Sequence, residues 1–342
     1  MSLLNQITDS ALCSARENYP NHEGAKKEVL DAHTIKSIRA VTKKFAAWVQ
    51  GRYTRRELFS SDPETNRAVE ALQEYQIYLS RYYRKTNGGH LSPATVHTYL
   101  AYACTALGVS MAEIKKDKRT ADTITRSRRT QEGQNRRGDR EARSPKYRRL
   151  VAFQQAVGLR RGELARLTTE DLVMDESGYL CVRVRRGKGG KKQLQRILPA
   201  QEGTVVATMT TGTSGAIFSK AEMDNDIDLH GMRAAHGYEC YLYYAQRLER
   251  EPEYAAQLRR ELLARYDAFN PNGAKKHRDK FIRDISNPHP YYLRRHGSNY
   301  ATAVRAGRPV VYNRLALMAV SVLHLSHWRL DVSVTNYILG GH

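Results

Sequence analysis

Between Lys115 and Arg149 the chain changes character, and that change constrains the fold more than any other feature. Large apolar residues nearly vanish, while Lys115, Lys116, Lys118 and Arg119 lead into Arg126, Arg128, Arg129, Arg136, Arg137, Arg140 and Arg143. Folding must offset chain entropy by burying apolar surface, and a stretch this polar has little to bury. It reads as an extended basic linker ending near Ser144-Pro145. The flanking halves both carry apolar patterning, and 342 residues suffice for two cores. The expected division is a helical domain over 1–114, a linker over 115–147 and a second domain over 148–342.

In the first half, residues 1 to about 28 read as a polar lead-in. From Glu28 to Tyr53, Leu30, Ile35, Ile38, Val41, Phe45, Trp48 and Val49 recur at helical spacing. Ser61-Asp62-Pro63-Glu64 opens a second helical stretch reaching Tyr83, and Ser92-Pro93 opens a third carrying Val96, Tyr99, Leu100, Ala103 and Leu107. Lys36, Lys43, Lys44, Arg52, Arg55 and Arg56 cluster near the first of these helices.

In the second half, Leu150–Val157 is apolar-rich, Gly158 breaks it, and a new helix starts over Gly162–Leu167. Tyr179–Val184 alternates as a strand, turns at Gly187–Gly190 and returns through Leu194–Leu198. Gly215–Phe218 suggests one more short strand. From Leu229 onward the pattern is helices joined by basic loops, with Leu315–Leu323 as a buried helix. The fold class is therefore mainly α with a small antiparallel β-sheet.

Several function classes are disfavoured at this level. No apolar run approaches the roughly 20 residues of a membrane span, and the start lacks a secretory pattern, so a cytoplasmic protein is expected. Cys13, Cys104, Cys181 and Cys240 are scattered singly, which predicts free thiols; no zinc-type spacing, HExxH or Walker A stretch occurs. No metal or other cofactor is expected. The net charge of +21 favours a polyanionic partner, and nucleic acid is the commonest one.

The remaining motifs specify a chemistry. Arg160 stands in Gly158-Leu159-Arg160-Arg161-Gly162-Glu163-Leu164, Lys188 at the tip Gly187-Lys188-Gly189, and His230-Gly231-Met232-Arg233 places two side chains on one helix face. Leu325-Ser326-His327 then precedes Tyr337 by about one decade of residues. Cutting a phosphodiester requires a nucleophile, cationic donors on the phosphate oxygens and an acid for the leaving 5′ oxygen. Arginine forks match phosphate oxygens, and a tyrosine phenol forms a phosphoester that preserves the bond energy for religation.

This ordered set resembles the tyrosine recombinase (phage-type integrase) family over residues 148–342. The resemblance implies Arg160, rather than Arg161, as first catalytic arginine and Lys188 as general acid, with Lys191 or Lys192 as substitutes. It implies Arg233 as second phosphate clamp, His230 as proton-transfer partner, and His327 on the phosphate or the attacking group, with adjacent Trp328 as the alternative. Tyr337 is the implied nucleophile, Tyr312 and Tyr300 being distant runners-up, and His236 is expected to be structural. The implied protein is a site-specific recombinase of a mobile element, associated with a bacterial nucleoid. It would act on double-stranded DNA with inverted-repeat sites, one dimer per site and a homotetramer in the synapse, with an accessory directionality protein possible. Its two domains would form a clamp around DNA.

Two departures stand out. Arg233 and His327 are 94 residues apart, which suggests a helical insertion over about 246–308 able to touch DNA or a neighbouring protomer. Ser326 replaces the glycine of the family's Leu-Gly-His signature. The competing readings are a DNA-binding architectural or regulatory protein that does not cut, and a strand transferase of the type IB topoisomerase kind.

Overall fold

The computed structural model describes residues 2–17, 32–85, 88–115, 136–187, 191–211, 215–271 and 273–339. The chain is mainly helical with a small antiparallel sheet, and it divides into two compact units, Met1–Ile124 and Thr125–His342.

The first unit contains helices at Leu3–Glu17, Ala32–Val49, Arg55–Phe59, Ala68–Ile77 and Pro93–Leu107, with a π-helical turn over Tyr78–Tyr82. The last of these starts as expected: the Ser92 hydroxyl accepts from the Thr95 N–H, and Pro93 occupies the first helical position. Gly108, at φ +69°, closes the helix in the left-handed conformation. The polar lead-in is a correction. Leu3–Glu17 is a helix whose Ile7, Ala11 and Leu12 enter the core beside Ile38, Phe45, Leu100 and Ala103. Its apolar residues recur every four positions, so a narrow stripe suffices even in a polar segment. Ser10 further pins it by donating to the Ala106 carbonyl at 2.7 Å.

The end of the expected linker also differs. Arg136–Ala142 is helical, Pro145–Tyr147 forms a 3₁₀ turn, and Tyr147 is buried. Arg137 pairs with Glu141 and Asp226, which neutralises part of the local charge.

In the second unit, three strands, β1 (Leu172–Met174), β2 (Leu180–Val184) and β3 (Gln193–Arg196), form an antiparallel sheet in that order. The β2–β3 hairpin pairs Val184 with Gln193 and Cys181 with Arg196, close to the expected register of strand and return. Strand β1, three residues long, is too short to leave a periodic signal. Gly215–Phe218 supplies only an isolated bridge, Thr168 to Ala216, in place of a strand. A second small hairpin, β4 (Tyr291–Tyr292) with β5 (Val311–Tyr312), interrupts the helical C-terminal part.

The helices Arg148–Val157, Glu202–Thr210, Leu229–Arg250, Tyr254–Phe269, Lys275–Ser286, Ser298–Arg305 and Arg314–Ala319 complete this unit, with π-helical turns at Val320–His324 and Val334–Ile338. The stretch from 246 to 308 is part of the core. Tyr254, Leu258, Leu262, Phe281, Ile285 and Leu293 share one buried cluster with Leu325 and Tyr337. A buried ion network adds to this. Arg196 of β3 bonds Asp175 at 2.6 Å and Glu261 at 2.5 Å, while Arg265 reaches the same Asp175 oxygen at 2.7 Å. Deleting 246–308 therefore removes eight of the 28 buried residues of that cluster, together with Glu261 and Arg265 of the ion network, and is expected to unfold this unit, so its function cannot be dissected by excision.

Candidate active site

Arg148–Val157 ends at Gly158, which has φ +58°. A Cβ there would meet His236 Cδ2 at 2.6 Å, so glycine is required by both backbone and space. The sharp exit delivers Arg160 to the N-cap of the short helix Arg161–Leu164. Glu163 then holds it twice, accepting from the Arg160 N–H at 2.8 Å and from Nη1 at 2.7 Å. The Arg160 side chain remains 23% exposed. Arg161 is different: its guanidinium donates to the Met223 and Ile227 carbonyls and to Asn225 Oδ1. Those bonds hold Arg161 against the 223–227 segment.

Leu229–Arg250 is capped by Asp228, whose carboxylate accepts from the Gly231 N–H at 2.9 Å. His230 and Arg233 follow in its first turns. Arg233 is completely buried. Its guanidinium donates to the Gly158 carbonyl and, at 2.7 Å, to the Leu325 carbonyl. It thereby ties the turn before Arg160 to the turn before His327. Nε of Arg233 is buried without a well-formed hydrogen bond. Burial, then the neighbouring Arg160 charge, press its pKa below the usual arginine value, while Tyr337 opposes them.

The turn Leu325-Ser326-His327-Trp328 has an unusual backbone. Ser326 (φ +50°) and Trp328 (φ +59°) both occupy the left-handed region, on either side of His327. The His327 N–H donates to the Ser321 carbonyl at 2.8 Å, and the Ser321 hydroxyl accepts from the Arg329 N–H at 3.0 Å. Trp328 turns away, into an aromatic group formed by Tyr266, Phe269 and Phe281. His327 instead places Nε2 at 2.8 Å from the Tyr337 hydroxyl oxygen.

Ser326 occupies a backbone conformation that favours glycine. A left-handed L-residue costs about 1–2 kcal/mol, and glycine gives back about 0.5–1 kcal/mol as unfolded-state entropy. Ser326→Gly is therefore expected to stabilise the protein by roughly 0.5 kcal/mol, measured by urea unfolding. A loss of stability would mean that the serine side chain holds the turn.

Tyr337 lies on the π-helical turn Val334–Ile338 and is only 4% exposed. Local π-helical geometry is frequent at functional sites. The Tyr337 ring meets the His230 ring edge-on at 5.7 Å between centroids, and the Arg233 guanidinium carbon lies 5.4 Å from its centroid. Gly237, one turn past Arg233, makes room for it: a Cβ there would stand 3.3 Å from Tyr337 Cβ. The runners-up have other surroundings. Tyr312 pairs with Tyr291 across the β4–β5 hairpin and packs on Tyr241, and burial pushes its phenol up to about 12. Tyr300 packs against the same core from its edge.

The structure thus brings His230, Arg233, His327 and Tyr337 into one group, with Arg160 within electrostatic reach of Arg233. Lys188 lies outside the described residues; the hairpin leading to it narrows at Gly187, whose N–H donates to the Lys191 carbonyl at 2.7 Å. Lys191 and Lys192 are exposed. Supporting residues passed over in the sequence include Gln154 and Gln195. Gln154 bonds the Leu159 and Leu229 carbonyls, and Gln195 bonds the carbonyls of Val157 and His324. Gln154 is a polar residue in an otherwise apolar run, which is a usable signal; Gln195 stands among Gln193, Leu194 and Arg196 and gives none. Glu163 gave no capping signal, because a capping box begins with Ser or Thr and an arginine stands at this N-cap.

No protein-family model, no curated protein and no solved structure matches this chain.

Proposed function

We propose that this protein cuts and rejoins DNA strands through a 3′-phosphotyrosine intermediate, as a site-specific recombinase of a mobile element. The observation that carries the reading is the pairing of Tyr337 with His327 at 2.8 Å, above the buried guanidinium of Arg233.

In this reading Tyr337 Oη attacks phosphorus while its proton passes to His327 Nε2, and the bond from phosphorus to the 5′ oxygen breaks. The leaving 5′ oxygen takes a proton from Lys188 or a neighbouring lysine. Arg160 and the Nε of Arg233 hold the non-bridging oxygens, with His230 beside the ring. The reverse step, with the 5′ hydroxyl of a second strand, releases the enzyme and joins the exchanged ends. The net charge of +21 supplies the affinity for a phosphate backbone. The two units would close on opposite faces of the duplex as a clamp, one dimer would occupy each inverted-repeat site, and a tetramer would hold the synapse.

Since Tyr337 is almost fully buried, the phosphate reaches it only after the C-terminal turn opens on DNA. That same burial favours one other reading, a DNA-binding regulator in which Arg233 and Tyr337 serve packing alone. The two separate in one experiment. The protein is incubated in EDTA with a pool of nicked duplexes of randomised sequence, and covalent adducts are recovered from a denaturing gel. Adducts support the recombinase and reveal its sites by sequencing. Tight DNA binding without adducts selects the regulator.

A further inference from the structure

Beneath the Arg233 turn lies a second constellation that phosphotyrosine chemistry does not use. His236 and Cys240 are four apart on Leu229–Arg250 and share a face; His324 ends the π-helical turn Val320–His324. All three are buried, and one donor atom from each lies within 4.8 Å of the others. Cys240 Sγ is already 3.4 Å from His236 Nε2. Ligands around a common metal at ordinary Zn–N and Zn–S lengths sit about 3.4–3.8 Å apart. Closing the remaining gap takes small side-chain rotations.

The surroundings have the form expected around metal-binding imidazoles. His236 is oriented by its Nδ1 on the Gln155 carbonyl at 3.1 Å, which leaves Nε2 toward the thiol. One nitrogen of His324 faces the Tyr244 hydroxyl at 3.1 Å. The other, Nδ1, is buried without a well-formed hydrogen bond, although the Arg196 carbonyl is close enough to favour a protonated ring. A carbonyl or hydroxyl behind each ligating ring is the usual second layer of a metal site. A buried polar nitrogen left in this state is costly unless something else engages it.

We propose that His236, Cys240 and His324 form a buried site for a soft, thiolate-seeking metal ion. Binding displaces the Cys240 thiol proton to solvent and leaves a thiolate and two neutral imidazoles as ligands. Charge decides which ion fits best. The histidines feel Arg233 on one side and Arg196 and Arg265 on the other. With one thiolate, Cu⁺ gives a neutral complex and Zn²⁺ leaves a net positive charge among these arginines. Three soft ligands in a buried site also suit Cu⁺. The ion would staple the helix carrying His230 and Arg233 to the segment leading into His327, so it acts on the placement of the site and not on the reacting atoms.

The test uses the full-length protein purified from cells grown with added copper or zinc, with bound metal measured by elemental analysis. X-ray absorption on the intact wild type is expected to report one sulfur and two nitrogens. Cys240→Ser and His324→Gln, each checked for folding by circular dichroism, are expected to lose the metal at least tenfold relative to wild type. Stoichiometric copper, or stoichiometric zinc, with that ligand set supports the site, and their ratio under competition measures the charge argument. No stoichiometric metal in the wild type overturns the proposal, as does metal retained undiminished in Cys240→Ser. These readouts do not depend on DNA cleavage, so failure here leaves the recombinase reading standing, and the reverse holds too.

Discussion

Tyr337→Phe is expected to abolish the covalent protein–DNA adduct while leaving the protein folded. The substitution removes one hydroxyl and its 2.8 Å contact with His327, and keeps the ring that packs against His230 and Arg233. Losing a single hydrogen bond costs about 0.5–1.5 kcal/mol, which a two-unit protein of this size tolerates. The chemical loss is of a different order, because without Oη no bond to phosphorus can form. Adduct yield should fall below detection, at least 10³-fold, with DNA affinity and melting temperature nearly unchanged. Tyr312→Phe serves as the control, since its phenol sits between aromatic neighbours, and it should retain full adduct formation. An adduct that survives Tyr337→Phe would move the nucleophile to another tyrosine and remove the main support for the proposed mechanism. His327→Gln should lower the rate and keep some adduct, because it removes a proton acceptor and spares the attacking atom.

The second large effect is on stability. Asp175→Asn is expected to cost about 3–5 kcal/mol, the range for removing one partner of a buried ion pair. Asp175 stands between Arg196 and Arg265, all three nearly inaccessible, and its other oxygen accepts the N–H groups of Ser177 and Tyr179. Asparagine keeps the volume and part of the turn, but takes the carboxylate from two buried guanidiniums, of which Arg196 keeps Glu261. Urea unfolding followed by fluorescence measures the loss; a change under about 1 kcal/mol would show the network to be dispensable.

Asp175 also carries a pH dependence. Burial pushes its pKa up, but the Arg196 charge and hydrogen bond, the Tyr179 N–H and the Arg265 charge together outweigh it, and the net shift is downward. A carboxyl with a folded pKa below its unfolded value of about 3.9 stabilises the protein above that value, and the contribution is lost as pH falls further. The wild type should therefore lose stability below about pH 4 more steeply than Asp175→Asn.

What the sequence by itself determined is what local spacing encodes. His230 and Arg233 had to share a helix face, because three residues span nearly one turn. The alternation around Cys181 had to make a hairpin with a glycine-rich tip. Core positions such as Ile38, Phe45 and Leu100 followed from helical periodicity in the same way.

Tertiary structure decided everything that depends on who meets whom across long separations. Arg160 and Arg161 are chemically identical neighbours, and their different surroundings, Glu163 for Arg160 and Met223, Asn225 and Ile227 for Arg161, come from packing. Trp328 stood as the alternative to His327, and the tertiary fold separates them: one ring goes to Tyr337 and the other into Tyr266 and Phe281. The stretch between Arg233 and His327 looked like an insertion because 94 residues separate the two motifs. It belongs to the core because its apolar faces are buried on the helix Leu229–Arg250 and the residues around Leu325, and no local pattern encodes that partner. The convergence of His236 and Cys240 with His324 was hidden for the same reason. A helix brings the first two together, but the third arrives from more than eighty residues away, through a core whose closure depends on the whole unit.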